Sequence, residues 1–137
     1  MWNTMKKKIS MIQKHCESGE ILLKYEGEAQ FEESGKGTVI RFCHRPASAD
    51  VEIRAYLDAM FLTNQSETKS RLSFREGHET RAHLESEFGT ISLQVRTRKY
   101  EKTQDRIYLH YAILDNGRVC DTFELKINVK EERDESD

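Results

Sequence analysis

Apolar and polar residues alternate one by one along most of this chain, most regularly over residues 84–129. Neighbouring side chains of a β-strand point to opposite faces, so this alternation predicts strands with one apolar face. Three such segments have apolar positions at Ile91, Leu93 and Val95, then Ile107, Leu109, Tyr111 and Ile113, then Phe123, Leu125, Ile127 and Val129. Asn116-Gly117 lies between the last two and predicts a two-residue hairpin, because both residues accept a positive φ. We therefore predict an antiparallel meander here.

The N-terminal half contains more segments with the same period of two. They predict strands at 8–16, 21–31, 38–45, 51–57, 60–63, 72–74 and 80–88. Gly27 falls in the middle of the long second strand and predicts a bulge or bend there. Pro46 is the single proline and is expected to end the third strand or to lie at an edge.

Two segments also admit a helix. Trp2, Met5, Ile9, Ile12 and Cys16 recur at three- and four-residue steps, which is typical of a short amphipathic helix. In region 48–62, Ser48 is a candidate N-cap, and Val51, Ala55, Tyr56 and Phe61 would share one helical face. We prefer strands in both places, and the choice for 48–62 stays open at this point.

About ten short strands in succession predict an all-β fold, an antiparallel meander closed into a calycin- or lipocalin-like barrel of about 8–10 strands. Closure is favoured because it removes exposed strand edges. A chain of 137 residues forms one domain. We expect a flexible arm at 1–7, the barrel at 8–131 and an acidic disordered tail at 132–137, since the tail has only charge and nothing to bury.

The composition narrows the classes of partner. The net charge is −2 and the pI about 6.2, with a mean hydropathy of −0.77, which argues against a general nucleic acid binder and against a membrane partner. Three widely spaced cysteines, Cys16, Cys43 and Cys120, fit reduced thiols rather than a disulfide framework. With no visible secretory signal, we expect a cytoplasmic protein, and a homodimer is left open.

Recognisable catalytic motifs do not occur. The sequence has no G-x-S-x-G, no H-E-x-x-H and no phosphate-binding loop, so we predict neither an enzyme nor a cofactor. His83 with Glu85, or His44 with His110, would need to meet across strands to hold a metal, and we predict no metal site.

Two hypotheses concern binding. A barrel of this size either fills its interior with side chains or holds one small ligand. Tyr25, Phe42 and Tyr111 are predicted to point inward and to line a pocket for a small apolar or amphipathic ligand. The alternative is a protein- or RNA-interaction module without catalysis, which uses a basic outer stretch formed by Arg96, Arg98, Lys99 and Tyr100.

One part of the pattern resembles a known family. The spaced residues are Leu84, Ser86, Phe88-Gly89, Ile91, Leu93, Val95 and Thr97, then Ile107, Leu109 and Tyr111, then Asn116-Gly117, then Phe123, Leu125 and Ile127. They resemble the YwiB-like bacterial family of unknown function over roughly residues 8–131. The resemblance implies a calycin-like barrel and a bacterial source, and it implies no activity. The G-x-W of true lipocalins is missing, because Gly27 is followed by Glu28 and Ala29.

Overall fold

The computed structural model describes residues 3–45 and 48–130, which form ten antiparallel strands. The strands are β1 (Asn3–His15), β2 (Ile21–Glu33), β3 (Gly37–His44), β4 (Ala49–Tyr56), β5 (Met60–Gln65), β6 (Lys69–Phe74), β7 (Glu79–Ser86), β8 (Gly89–Lys102), β9 (Arg106–Asp115) and β10 (Arg118–Lys130). Each strand pairs with its neighbours in the chain, and β1 also pairs with β10, which closes the barrel. The all-β class and the closed antiparallel meander are therefore confirmed. Along residues 3–45 and 48–130, no helix is long and apolar enough to cross a membrane.

Region 48–62 forms strands, so the helical alternative for it is wrong. Val51, Ile53 and Ala55 of β4 are buried, while Glu52 is only half-buried and Arg54 is exposed between them. This period-two burial fits a strand and leaves no continuous helical face. Residues 57–59 separate β4 from β5, so the break begins one residue before the 58–59 gap between the predicted strands.

The first strand begins earlier than the sequence indicated. Residues 3–7, which we expected in a flexible arm, pair with the end of β2, and Lys7 lies opposite Ala29. Lys7 also contacts β2 through its side chain, since its Nζ lies 4.6 Å from the centre of the Phe31 ring. The helical alternative for this segment is wrong within the described residues. Trp2, Pro46 and the tail 132–137 lie outside them.

The Asn116-Gly117 hairpin is confirmed. Asn116 has a φ of 51° and Gly117 a φ of 79°, and Asp115 pairs directly with Arg118. Two successive positive φ angles are the signature of the turn that matches the twist of an antiparallel pair.

Side chains fill the middle of the barrel. Ile9, Ile53, Leu109 and Leu125 come from four different strands and are fully buried. Tyr111 packs between two rings, with centroid distances of 4.7 Å to Phe74 and 5.4 Å to Phe123. This region is a packed core of interdigitated aliphatic and aromatic groups.

The barrel wall is incomplete between β2 and β3. These strands pair over four residues only, from Gln30↔Arg41 to Glu33↔Thr38. On its other side β2 pairs with β1 along almost its whole length. Residues 21–29 consequently lack a β3 partner, and the two strands separate below Gln30. We call the opening that results the seam cleft.

Candidate functional site in the seam cleft

The seam cleft has a volume of about 540 Å³. It lies where β2 and β3 separate, with β4 and β5 along one side and β1 along the other. Its lining residues are Lys6, Glu28, Ala29, Gln30, Arg41, Phe42, Cys43, Asp50, Val51, Glu52, Thr63 and Gln65. The set combines an apolar floor with a charged rim.

The floor consists of buried residues at the edge of the core, next to the gap between β2 and β3. Ala29, Phe42 and Val51 are inward-facing residues with exposed fractions of 3 %, 7 % and 2 %. Phe42 pairs directly with Val51 across β3 and β4, so their side chains lie on the same face. Where the wall is continuous such residues meet only other core side chains; here they also border an opening.

Tyr25 partly replaces the missing ladder. Its ring stacks on Phe42 across the seam, with a centroid distance of 4.1 Å and an interplanar angle of 18°. Its hydroxyl donates a 2.5 Å hydrogen bond to the backbone carbonyl of Glu28. Burial, together with the nearby Glu28 carboxylate, raises the pKa of Tyr25.

Gly27 makes room for that tyrosine. A Cβ at this position would lie 3.0 Å from the Tyr25 hydroxyl oxygen. The predicted bulge at Gly27 is wrong, because Gly27 pairs in register with Ile9 and the register shift falls at Gln13/Lys14 instead. The glycine leaves room for a close side-chain approach, and the predicted bend at this position stays a prediction.

Some charged side chains of the rim form ion pairs with one another, and others do not. Arg41 donates to Glu32 at 2.9 Å and to Glu52 at 2.8 Å, and Arg54 donates to the other oxygen of Glu52 at 2.7 Å. Burial disfavours the charged form of Glu52, but the hydrogen bonds from the two arginines outweigh it and hold the pKa of Glu52 below its usual value. The two arginines and two glutamates together carry no net charge.

Two carboxylates of the rim remain without a cation. Glu28 and Asp50 take part in no ion pair among the described residues, and Lys6 is the only lining cation outside the arginine cluster. The cleft can therefore offer negative charge above an apolar floor. Cys43, on the same rim, is an exposed free thiol.

The three predicted ligand-binding residues do not form one site. Tyr25 and Phe42 are stacked beside the seam cleft, whereas Tyr111 lies in the packed core with 1 % of its surface exposed. The Tyr111 hydroxyl accepts a 2.5 Å hydrogen bond from the Gln13 amide, and burial raises the pKa of Tyr111 to about 12. The period of two identified the face correctly but not the depth along the barrel.

The four residues of the predicted basic stretch do not all lie on the outer face of the barrel. A register shift between Thr97 and Lys99 turns both Arg98 and Lys99 outward, next to the exposed Arg96. Tyr100 then points inward, is 8 % exposed, and donates to the carbonyl of Tyr56 at 2.5 Å. Tyr100 cannot contribute an aromatic surface to this patch.

A different tyrosine occupies the outer wall. The Tyr108 ring lies 5.9 Å from the Nζ of Lys99 and 6.0 Å from that of Lys126. Its hydroxyl donates to Glu124 at 2.5 Å, and this bond, with burial, raises the pKa of Tyr108 to about 12. Sequence reasoning missed Tyr108 because its strand was selected for its inward residues.

The structure also places the histidines that were considered as metal ligands. His44 is on β3 and His110 on β9, and these strands are not neighbours in the barrel. His83 instead contacts Ser92 at 3.0 Å through Nδ1. Over residues 3–45 and 48–130, no group of three or more His, Cys, Asp or Glu side chains is placed to hold a metal ion.

The geometry defines the class as a ten-stranded up-and-down barrel with a packed interior and a short ladder between β2 and β3. The family model for the domain of unknown function DUF1934 matches residues 4–127, and the chain belongs to this family. The fold is similar to the crystal structure of the ywiB protein from Bacillus subtilis, with a TM-score of 0.66 and 12 % identity over 95 % of this chain and 94 % of that one. At that identity the likeness shows the fold alone. No curated protein matches the chain.

Proposed function

We propose that the seam cleft binds a small amphipathic ligand with an apolar or aromatic body and a positively charged end. One observation carries the proposal: a cleft of about 540 Å³ places three core side chains next to two carboxylates that have no ion-pair partner among the described residues. Small-molecule sites are typically clefts of roughly 300–1,000 Å³ with mostly apolar walls and a few polar groups that orient the ligand.

The apolar body of the ligand would lie on the floor. Phe42 and Val51 offer it an aromatic face and a branched aliphatic group at the same level of the barrel. Each Å² of apolar surface that leaves water contributes about 25 cal/mol. An aromatic body would gain more where it packs against the Phe42 ring.

The charged end would lie on the rim. Because Arg41 is already bound to Glu32 and Glu52, the remaining charges are Glu28 and Asp50 against Lys6. A cation is therefore favoured over an anion, by roughly 0.2–1 kcal/mol per exposed ion pair.

This location differs from the barrel centre that the sequence suggested. The centre holds Tyr111 between Phe74 and Phe123, so it offers no comparable space to a ligand. Of the predicted residues, Phe42 lines the seam cleft and Tyr25 stacks on Phe42.

A titration of ¹⁵N-labelled protein with tryptamine and with indole-3-acetate tests the proposal, since the two share a ring and differ in charge. We expect tryptamine to shift the amides of Ala29, Phe42 and Val51, and indole-3-acetate to shift them less. Asp50→Asn should weaken tryptamine binding, whereas Glu101→Gln, on an exposed residue of β8, should not. Equal responses to both compounds, or none in the cleft, would refute the proposal.

A second candidate function is a protein- or RNA-interaction surface on the outer wall. The observation in its favour is the Tyr108 ring flanked by Lys99 and Lys126. It ranks second because Glu124 and Glu101 bond to Tyr108 and Lys99 and reduce the positive charge. Fluorescence anisotropy with a labelled oligouridylate at low salt tests it; RNA binding requires a signal that falls with salt and with Lys99→Ala plus Lys126→Ala.

A further inference from the structure

The first part of β2 presents a free strand edge. Residues 21–29 pair with β1 on one side, and within residues 3–45 and 48–130 no strand pairs with the other side. The N–H of Ser34 donates to the carbonyl of Gly37 at 3.0 Å, which fixes the phase of the ladder. Backbone groups of an antiparallel strand alternate between its two sides. Lys24, Glu26 and Glu28, which lie between this ladder and the register shift at Gln13/Lys14, therefore direct their N–H and C=O groups toward the open side.

One of these backbone groups already forms a hydrogen bond within the chain. The carbonyl of Glu28 accepts the Tyr25 hydroxyl, in the place where the next ladder bond to β3 would fall. An open edge is a template for pairing with another strand. Ile21 and Leu22, at the start of the same edge, are 52 % and 49 % exposed.

We propose that two copies of this chain pair antiparallel along this edge, about a two-fold axis at Tyr25. In this register Lys24 of each copy lies opposite Glu26 of the partner subunit, so two pairs of opposite charge form. A register centred on Lys24 would oppose two lysines, and one centred on Glu26 would oppose two glutamates. Like charges directly opposite each other destabilise a strand pair, so the charges of the edge favour the Tyr25-centred register over these two.

The intrachain contacts of the edge allow this pairing. Glu26 bonds Lys130 at 2.9 Å, and both side chains are more than half exposed, at 62 % and 56 %. A carboxylate has two oxygens and can accept from both lysines. Lys24 is exposed and belongs to no ion pair among the described residues. The proposal does not depend on a ligand in the seam cleft.

Sedimentation equilibrium over a wide range of protein concentration tests the proposal, with charge-reversed variants. We expect a monomer–dimer equilibrium for the wild type. Lys24→Glu and Glu26→Lys should each raise the dissociation constant at least tenfold. An equimolar mixture of the two variants should recover the dimer as a heterodimer, and the double variant K24E/E26K should recover it as a homodimer. Lys36→Glu, in the exposed turn after β2, is the control that should not change it.

Amide hydrogen exchange provides an independent measurement within one strand. The N–H groups of Lys24 and Glu26 should become protected as the protein concentration rises, while that of Tyr25, which faces β1, should be protected throughout. A monomer at every concentration would overturn the proposal and leave the edge to a peptide or another protein. Dimers that K24E and E26K do not weaken would also overturn it.

Discussion

Tyr25 and Phe42 stack face to face across a gap in the barrel wall, at 4.1 Å between ring centroids. The stack begins where the four-residue ladder between β2 and β3 ends. Side-chain packing thus holds the wall together at a level where backbone hydrogen bonds no longer do. Phe42 also lines the seam cleft, so stability and proposed binding both depend on this residue.

The two contributions of Tyr25 can be separated by substitution. Tyr25→Phe keeps the stack and removes the hydrogen bond to the Glu28 carbonyl, so we expect a loss of about 1 kcal/mol. Tyr25→Ala removes both and should cost about 3 kcal/mol. Urea denaturation at equilibrium measures both values. If Tyr25→Phe destabilised as much as Tyr25→Ala, the stack would contribute nothing.

Gly27→Ala should destabilise the protein through Tyr25. The added Cβ would lie 3.0 Å from a hydroxyl that stacking and a hydrogen bond hold in place, and we expect a loss of about 1 kcal/mol. In the Tyr25→Ala background the same change should be neutral or stabilising, because alanine suits a strand better than glycine. A double-mutant cycle by urea denaturation measures this coupling. Gly35→Ala is the control, since no atom lies within 4 Å of its Cβ; additive effects would contradict the proposed contact.

The arginine–glutamate cluster should make stability depend on pH. The folded-state pKa of Glu52 is lowered, so its contribution is fully present above the unfolded pKa of about 4.3 and is lost as the pH falls through the folded value. Glu52→Gln should therefore be less stable than the wild type at pH 7, and the difference should shrink below about pH 4. Urea midpoints between pH 7 and pH 3 measure it. Glu67→Gln, in an exposed turn, should show no such convergence.

Thr97 carries a polar group that the core does not satisfy. It is 1 % exposed, and its Oγ1 has no hydrogen-bond partner among the described residues. Thr97→Val should therefore stabilise the protein by about 1 kcal/mol, because it removes an unpaired hydroxyl with little change of shape. The matched control is Thr80→Val, which removes a hydroxyl that donates to the Ser73 carbonyl and should destabilise. Thermal unfolding of both variants checks the opposite signs.

The sequence predicted the features that depend on local rules. Asn116-Gly117 gave the hairpin because its residues adopt the required φ angles whatever surrounds them. The period of two placed Tyr25, Phe42 and Tyr111 on inward faces, because the alternation of side chains along a strand is also a local property of the backbone. It could not distinguish the seam from the centre, because the length of the β2–β3 ladder depends on how two strands diverge in space. The register shift after Thr97, which turns Tyr100 inward, has no local signature in the residues around it.

Because the first strand pairs with the last, the barrel can close only late in folding. The ladder that joins Lys8 to Lys130 brings together residues from the two ends of the described chain. Contacts of such large separation require a costly loop closure, and topologies rich in them fold slowly. During synthesis β1 can pair with β2 early, but its other side must wait for β10 to leave the ribosome. Until then the growing chain exposes an unpaired strand edge. Such an edge is prone to aggregation and is a suitable binding site for a chaperone.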